Sequence, residues 1–179
     1  LNDGGFMVYG QMDGSRDVIR GQKFDFGGKK VGAEFDASLG SADNQANLAS
    51  TRLENGDTVL AWNDARETGQ VFDSQDIRAR IHSPDGAAGD GPQTTGNATI
   101  DAGFPVDVNT SPGGTQQEPD VAALAGGGFV GVWDGNGQNG SVVHARRFDG
   151  NGTPVGEEIP LNTNSNNSGM DAAVSALGD

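Results

Sequence analysis

The sequence predicts an all-β chain, and three observations predict it. Short apolar runs, Phe6-Met7-Val8-Tyr9, Val59-Leu60-Ala61-Trp62 and Phe129-Val130-Gly131-Val132-Trp133, have the length of strands rather than helices. Clusters of Gly, Asn and Asp separate them, which are the residues of tight hairpin turns. Glycine makes up 30 of the 179 residues, more than double its usual share of about 7%. A disordered chain could share that composition but not the regular apolar pattern, so the glycines read as positive-φ turn positions.

The pattern repeats. Leu1-Asn2-Asp3-Gly4-Gly5-Phe6 returns as Leu53-Glu54-Asn55-Gly56-Asp57-Thr58 and Leu124-Ala125-Gly126-Gly127-Gly128-Phe129, and Leu177-Gly178-Asp179 begins it again, in steps of 52, 71 and 53 residues. Two further anchors keep register: Gly32, Gly103 and Gly156, each 21 residues before the next leucine, and Phe24, His82 and Phe148. The extra 18 residues of the middle step divide into 5 between Trp62 and Ala79 and 13 between Gly86 and Gly103. The units are therefore 1–52, 53–123 with an insertion near 90–102, and 124–179.

In the last complete unit the strands are expected at 120–124, 128–134, 141–149 and 158–163, with turns at 125–127, 135–140 and 150–153. Four short antiparallel strands in about 52 residues is the footprint of a β-propeller blade. The prediction is a propeller-like array of three four-stranded antiparallel units. A β-solenoid coil is usually shorter, and a β-sandwich module needs about seven strands. The chain opens before a second strand and closes after a first one. Three blades are fewer than the usual 4–8, so the units are expected to belong to a longer chain or larger propeller, or to pair with a second copy in a six-bladed ring.

Composition narrows the chemistry. With no Cys, a disulfide scaffold and thiolate-ligated metals are excluded. Eleven basic against 25 acidic residues leave a net charge of −14, which argues against nucleic acid or an anionic membrane as partner. No apolar run approaches 18 residues, so no membrane insertion is expected.

Three strings carry a family resemblance: Pro119-Asp120-Val121-Ala122-Ala123-Leu124-Ala125-Gly126-Gly127-Gly128-Phe129-Val130-Gly131-Val132-Trp133, Ala145-Arg146-Arg147-Phe148-Asp149-Gly150-Asn151-Gly152-Thr153-Pro154-Val155-Gly156, and Leu161-Asn162-Thr163. They resemble a tandem repeat of roughly 50 residues found in large bacterial secreted and cell-surface proteins of the RTX, calcium-binding, adhesin-like kind. The resemblance implies an extracellular or cell-surface array, often exported by a type I system, and no catalytic residue. The glycine-rich calcium nonapeptide of RTX β-rolls is absent from the chain.

Candidate side chains follow from the repeat. Asp134, Asn136, Asp149 and Asn151 offer closely spaced oxygens suited to Ca²⁺, although Asx-Gly pairs are also strong turn formers. Trp62 and Trp133 occupy equivalent places, with Gly10 in the first unit; they either stack on sugars or pack between units. His82 takes a place filled elsewhere by Phe, and His144 lies in an alternating strand, so both read as structural. Glu34 and Glu158 read as framework residues. Arg16/Arg20, Arg78/Arg80 and Arg146/Arg147 read as solvated strand faces or as partners of turn carboxylates, with an anionic-sugar site as the functional alternative. Asn97-Ala98-Thr99 in the insertion is a glycosylation pattern only in a eukaryotic secretory setting.

The expected function is a non-enzymatic extracellular module with a structural or adhesive role, whose partners are further copies of the repeat or of the same chain, and surface glycans. The alternatives are a carbohydrate-binding propeller lectin and a propeller-type hydrolase or lyase with a site at the ring axis.

Overall fold

The computed structural model describes residues 4–12, 17–38, 44–67, 72–83, 93–95, 98–100, 106–110, 114–137, 140–162 and 171–177. Its strands are β1 Phe6–Met12, β2 Val18–Phe24, β3 Lys30–Asp36, β4 Asn44–Arg52, β5 Thr58–Glu67, β6 Phe72–His82, β7 Gln93–Thr95, β8 Ala98–Ile100, β9 Val106–Asp107, β10 Thr115–Ala123, β11 Phe129–Gly137, β12 Gly140–Phe148 and β13 Ile159–Pro160. The fold is all-β, with no helix among the described residues and so none long and apolar enough to cross a membrane. Among the described residues no sheet closes into a barrel.

Turn chemistry sets the strand boundaries. Four turns share one hydrogen-bond pattern, in which the first residue's N–H donates to the carbonyl four residues on and the fourth residue's N–H donates back. They begin at Asp25, Leu53, Leu124 and Asp149. The fourth residue is glycine each time, Gly28, Gly56, Gly127 and Gly152, with φ of 79°, 94°, 93° and 85°. Only glycine adopts that conformation without strain, which is why the glycines recur.

Strand pairing repeats with the same register. Phe6 opposes Phe24, Thr58 opposes His82, and Phe129 opposes Phe148. The third-to-fourth strand pairs are Gly21 with Phe35, Ala79 with Val106, and Ala145 with Ile159. Beyond each fourth strand, Ala37, Val108 and Leu161 donate their N–H to the carbonyls of Ile19, Ile77 and Val143. Asn109 and Asn162 then accept the N–H of Ile77 and Val143 at 2.7 and 2.6 Å.

The strands form a first sheet, β1-β2-β3, and an eight-stranded sheet containing a middle quartet (β4, β5, β6, β9) and a last quartet (β10, β11, β12, β13). This differs in two respects from three separate antiparallel four-stranded units. The first sheet has three strands. The quartets are joined by a parallel pair, Thr115 with Gln75, which makes the large sheet mixed. The join exists because β10 begins five residues before the expected 120–124. A bulge between Gln117 and Asp120, with Glu118 at φ 54°, lets it continue. The same bulge lies in β4 at Asn47, φ 50°.

The core is divided between two faces of the middle quartet. Leu60 and Trp62 of β5 cluster with Ile19 and Ala37 of the first sheet, with Tyr9, Phe35 and Leu48 packed around them. Val59 and Ala61, which point the other way along β5, cluster with Val121, Phe129, Trp133 and Phe148 of the last quartet. β5 is thus apolar on both faces, which explains its continuous apolar run. Within the 90–102 insertion, β7 and β8 pair as a small hairpin; residues 90–92, 96–97 and 101–102 lie outside the described residues, as does the side chain of Thr99.

Candidate functional site

Both tryptophans are fully buried. Trp133 lies parallel to His144, with ring centroids 5.7 Å apart, and its Nε1–H donates to Gln116 Oε1 at 3.0 Å. The bulge at Glu118 allows β10 to carry Gln116 into that position. Its equivalent in β4, buried Gln45, accepts the Ile19 N–H at 3.1 Å. Trp62 is enclosed with Ile19, Ala37 and Leu60. Neither indole offers a face to solvent, so packing between strand sets is what these rings do in this structure, and a sugar cannot stack on them there.

The oxygen-rich candidates do not converge. Asp149 Oδ1 accepts the N–H groups of Asn151 and Thr153, both at 2.9 Å, and is engaged in closing its own turn. Asp134 is buried in β11 opposite Val143. Asp149 lies six positions beyond Val143, just past the end of β12, roughly 20 Å along the strand, so the two carboxylates cannot share an ion. The side chain of Asn136 lies outside the described residues. Among the described residues no group of three His, Asp or Glu side chains could hold a metal.

Contacts between a basic side chain and a carboxylate recur at one place in each strand set. Arg20 lies 4.0 Å from Glu34, and His144 Nδ1 lies 2.7 Å from Glu158 Oε1. Glu158 Oε2 also accepts the N–H and hydroxyl of Thr110 at 3.0 and 2.9 Å, joining the exit of the middle quartet to the last. Arg78 occupies the corresponding position and meets Asp64 at 3.1 Å and Asp107 at 2.8 Å.

The expectation of solvated strand faces needs correction for two arginines. Arg80 is buried, and that burial lowers its pKa from the usual arginine value, with Asp36 partly offsetting the effect. Arg146 reaches the Phe148 ring at 5.6 Å and donates to the Val108 carbonyl at 3.3 Å. Both lie on the face turned toward the preceding strand set, where the long stem packs as an apolar group. Arg16 lies outside the described residues. His82 is buried beside Tyr9 and Phe35, at ring-centroid distances of 5.8 and 5.7 Å. Burial, and secondarily Arg80, pushes its pKa down to about 4, so it is a neutral core group at pH 7.

The chain matches no protein-family model, no curated protein and no solved structure.

Among the described residues, a cavity and a set of exposed apolar side chains remain open to a ligand or partner. A cavity of about 300 Å³ lies between β1 and the β4–β5 hairpin, with Phe6, Tyr9, Ser50, Thr51, Arg52 and Thr58 among its lining residues. Large apolar side chains are also exposed at both ends of the array. Phe6, Val8 and Met12 are exposed on the first sheet, and Ile159 and Leu161 on the last quartet. None of these residues carries a polar group that would mark it in the sequence as a candidate. The available signal was that Phe6 and Phe24 recur as Phe129 and Phe148.

Proposed function

We propose that the chain is a non-enzymatic repeat module with a structural or adhesive role in a bacterial surface or matrix protein outside the cell. We further propose that its strand sets follow one another as propeller blades. One observation carries the reading: the residues that recur along the sequence are the ones that pack one strand set on the next. Ile19 and Ala37 meet Trp62 in one cluster, and Ile77 and Val108 meet Trp133 in the other. Side chains committed to such packing serve assembly rather than turnover.

The propeller arrangement is supported by the proximity of successive first strands. The Ala123 N–H of β10 donates to Thr51 Oγ1 of β4 at 3.2 Å, and the Val174 N–H donates to Asp120 Oδ2 of β10 at 2.9 Å. Inner strands gathered in this way are what a common axis requires. The extracellular setting rests on the resemblance of the repeat to those of large bacterial surface proteins. Protease treatment of intact producing cells tests the location: loss of the chain without cell lysis is expected, and full protection would overturn it.

A carbohydrate-binding reading has one observation behind it. The cavity between β1 and β4–β5 combines aromatic groups, hydroxyls and the Arg52 guanidinium, a chemistry suited to an acidic sugar. Calorimetric titration with uronic-acid oligosaccharides tests it. Saturable heat that is lost in Arg52→Ala supports this reading over the purely structural one.

A further inference from the structure

All three lysines of the chain, Lys23, Lys29 and Lys30, lie on one hairpin. That hairpin joins β2 to β3 through the turn Asp25-Phe26-Gly27-Gly28. Within 23–31 the only carboxylate is Asp25, so the tip is basic on a chain whose net charge is −14. None of the three lysines forms an ion pair with a described residue.

Phe26 stands at the same turn and is 83% exposed, more than any other described aromatic side chain. The turn does not need it. Its counterpart in the last quartet, Asp149-Gly150-Asn151-Gly152, closes with the same hydrogen bonds and has Gly150 in this place. Thr153 and Pro154 stand there where Lys29 and Lys30 stand here. Phe26 lies over Gly4 of its own sheet, where a Cβ would come within 3.1 Å of the ring, and Gly150 lies over Gly127 of its own quartet. The exposed phenyl ring, Lys29 and Lys30 are therefore additions of this one hairpin to a shared turn.

Strand alternation arranges the charges. Lys23 opposes Val31 and Phe24 opposes Lys30, so Lys23 and Lys30 project from opposite faces of the hairpin, with Lys29 in the turn between. Val31, on the Lys23 face, is 41% exposed. The cations form a collar, and the phenyl ring stands beyond it. Three hydrogen bonds hold the tip. The Asp25 N–H donates to the Lys29 carbonyl at 2.9 Å, the Gly28 N–H to the Asp25 carbonyl at 3.0 Å, and the Lys29 N–H to Asp25 Oδ1 at 2.8 Å. The backbone that presents ring and collar is thus ordered before any partner arrives, which lowers the cost of binding.

A cationic collar below an apolar tip matches a layered partner, with anionic groups outside and hydrocarbon beneath. A polysaccharide offers the anions without the apolar layer. We infer that this tip docks on an anionic lipid surface, Phe26 entering the acyl boundary and Lys23, Lys29 and Lys30 pairing with headgroup phosphates. Stable peripheral anchoring takes two signals, here an apolar group and a basic cluster. The net charge opposes broad contact with such a surface, and for that reason it orients the chain, holding the acidic remainder away while the tip points in. Charges farther off than a Debye length, about 10 Å at 0.1 M salt, are screened from the lipid. The docking is peripheral, requires no membrane-spanning segment, and stands or falls separately from the role in assembly proposed above.

Flotation of the full chain with vesicles tests the inference. Binding is expected to vesicles of phosphatidylcholine with phosphatidylglycerol, and not to phosphatidylcholine alone. Phe26→Ser should weaken it at least about tenfold, by removing the ring that leaves water. Lys29→Ser/Lys30→Ser should weaken it by at least about tenfold as well. Raising the salt to about 1 M, where the Debye length is about 3 Å, should release the chain. Phe26→Trp should give an emission that shifts to the blue on the anionic vesicles and is quenched by brominated acyl chains. No binding, equal binding to both kinds of vesicle, or binding untouched by Phe26→Ser would overturn the inference. Binding of a polyuronate in place of vesicles, lost in the lysine variant but kept in Phe26→Ser, would also overturn it and assign the cations to a glycan.

Discussion

Gly21 lies beneath the ring of Phe35, and a Cβ on Gly21 would collide with that ring. The two residues oppose each other across β2 and β3. The corresponding pairs elsewhere are Ala79 with Val106 and Ala145 with Ile159. Size is exchanged across each pair, the smallest residue facing the largest, because the combined volume must fit beneath the next strand set.

That relationship makes Gly21→Ala destabilising by about 1–3 kcal/mol through overpacking. Phe35→Val, which recreates the smaller partner found at Val106, should make Gly21→Ala tolerable. Urea denaturation of the two single variants and the double variant checks this. Additive losses would show that the pair does not share its space.

His82 predicts a pH dependence. Its folded-state pKa is lowered to about 4, whereas in the unfolded chain it protonates near its ordinary value of about 6.5. Between these values the unfolded chain binds a proton that the folded chain does not. Stability present above about pH 6.5 is therefore lost as pH falls to about 4, by on the order of 3 kcal/mol in all. His82→Phe, the residue found at Phe24 and Phe148, should remove this part of the slope. Denaturation curves at pH 7 and pH 4.5 that change equally in both proteins would contradict it.

The asparagines after the fourth strands should matter in proportion to burial. Asn109 is buried and binds both the Ile77 N–H and Asp76, whereas Asn162 is half-buried. Asn109→Ala should cost about 1–3 kcal/mol by orphaning a buried N–H, and Asn162→Ala less. Comparing the two midpoints in urea checks the order.

The Asp149 turn is held by its own carboxylate, which accepts two backbone N–H groups. Asp149→Ala should lower stability by about 1 kcal/mol, the worth of such a local hydrogen-bonded turn. The loss should be the same with and without a chelator. A melting temperature that falls on chelation in the native chain but not in Asp149→Ala would place a calcium ion at this loop instead.

Much of the fold was legible because glycine and strand length are local properties. The turns at Leu53, Leu124 and Asp149 could be placed from Gly56, Gly127 and Gly152, since positive φ depends on one residue. The early starts of β4 and β10 could not, because Asn47 and Glu118 adopt positive φ without glycine, under the pull of neighbouring strands. Burial of Arg80 was hidden for a related reason. Alternation assigns it a face, but only the packing of one strand set on another turns that face inward. The exposed end faces were concealed too, since Phe6 and Val8 are no more apolar than the buried residues they repeat.

The first sheet packs on the middle quartet through Ile19 and Leu60, both fully buried in one cluster. The most direct measurement is a double-mutant cycle of Ile19→Val and Leu60→Ala, followed by urea denaturation. Residues in contact should couple by about 0.5 kcal/mol or more. Strict additivity of the two losses would contradict the packing of these strand sets on each other.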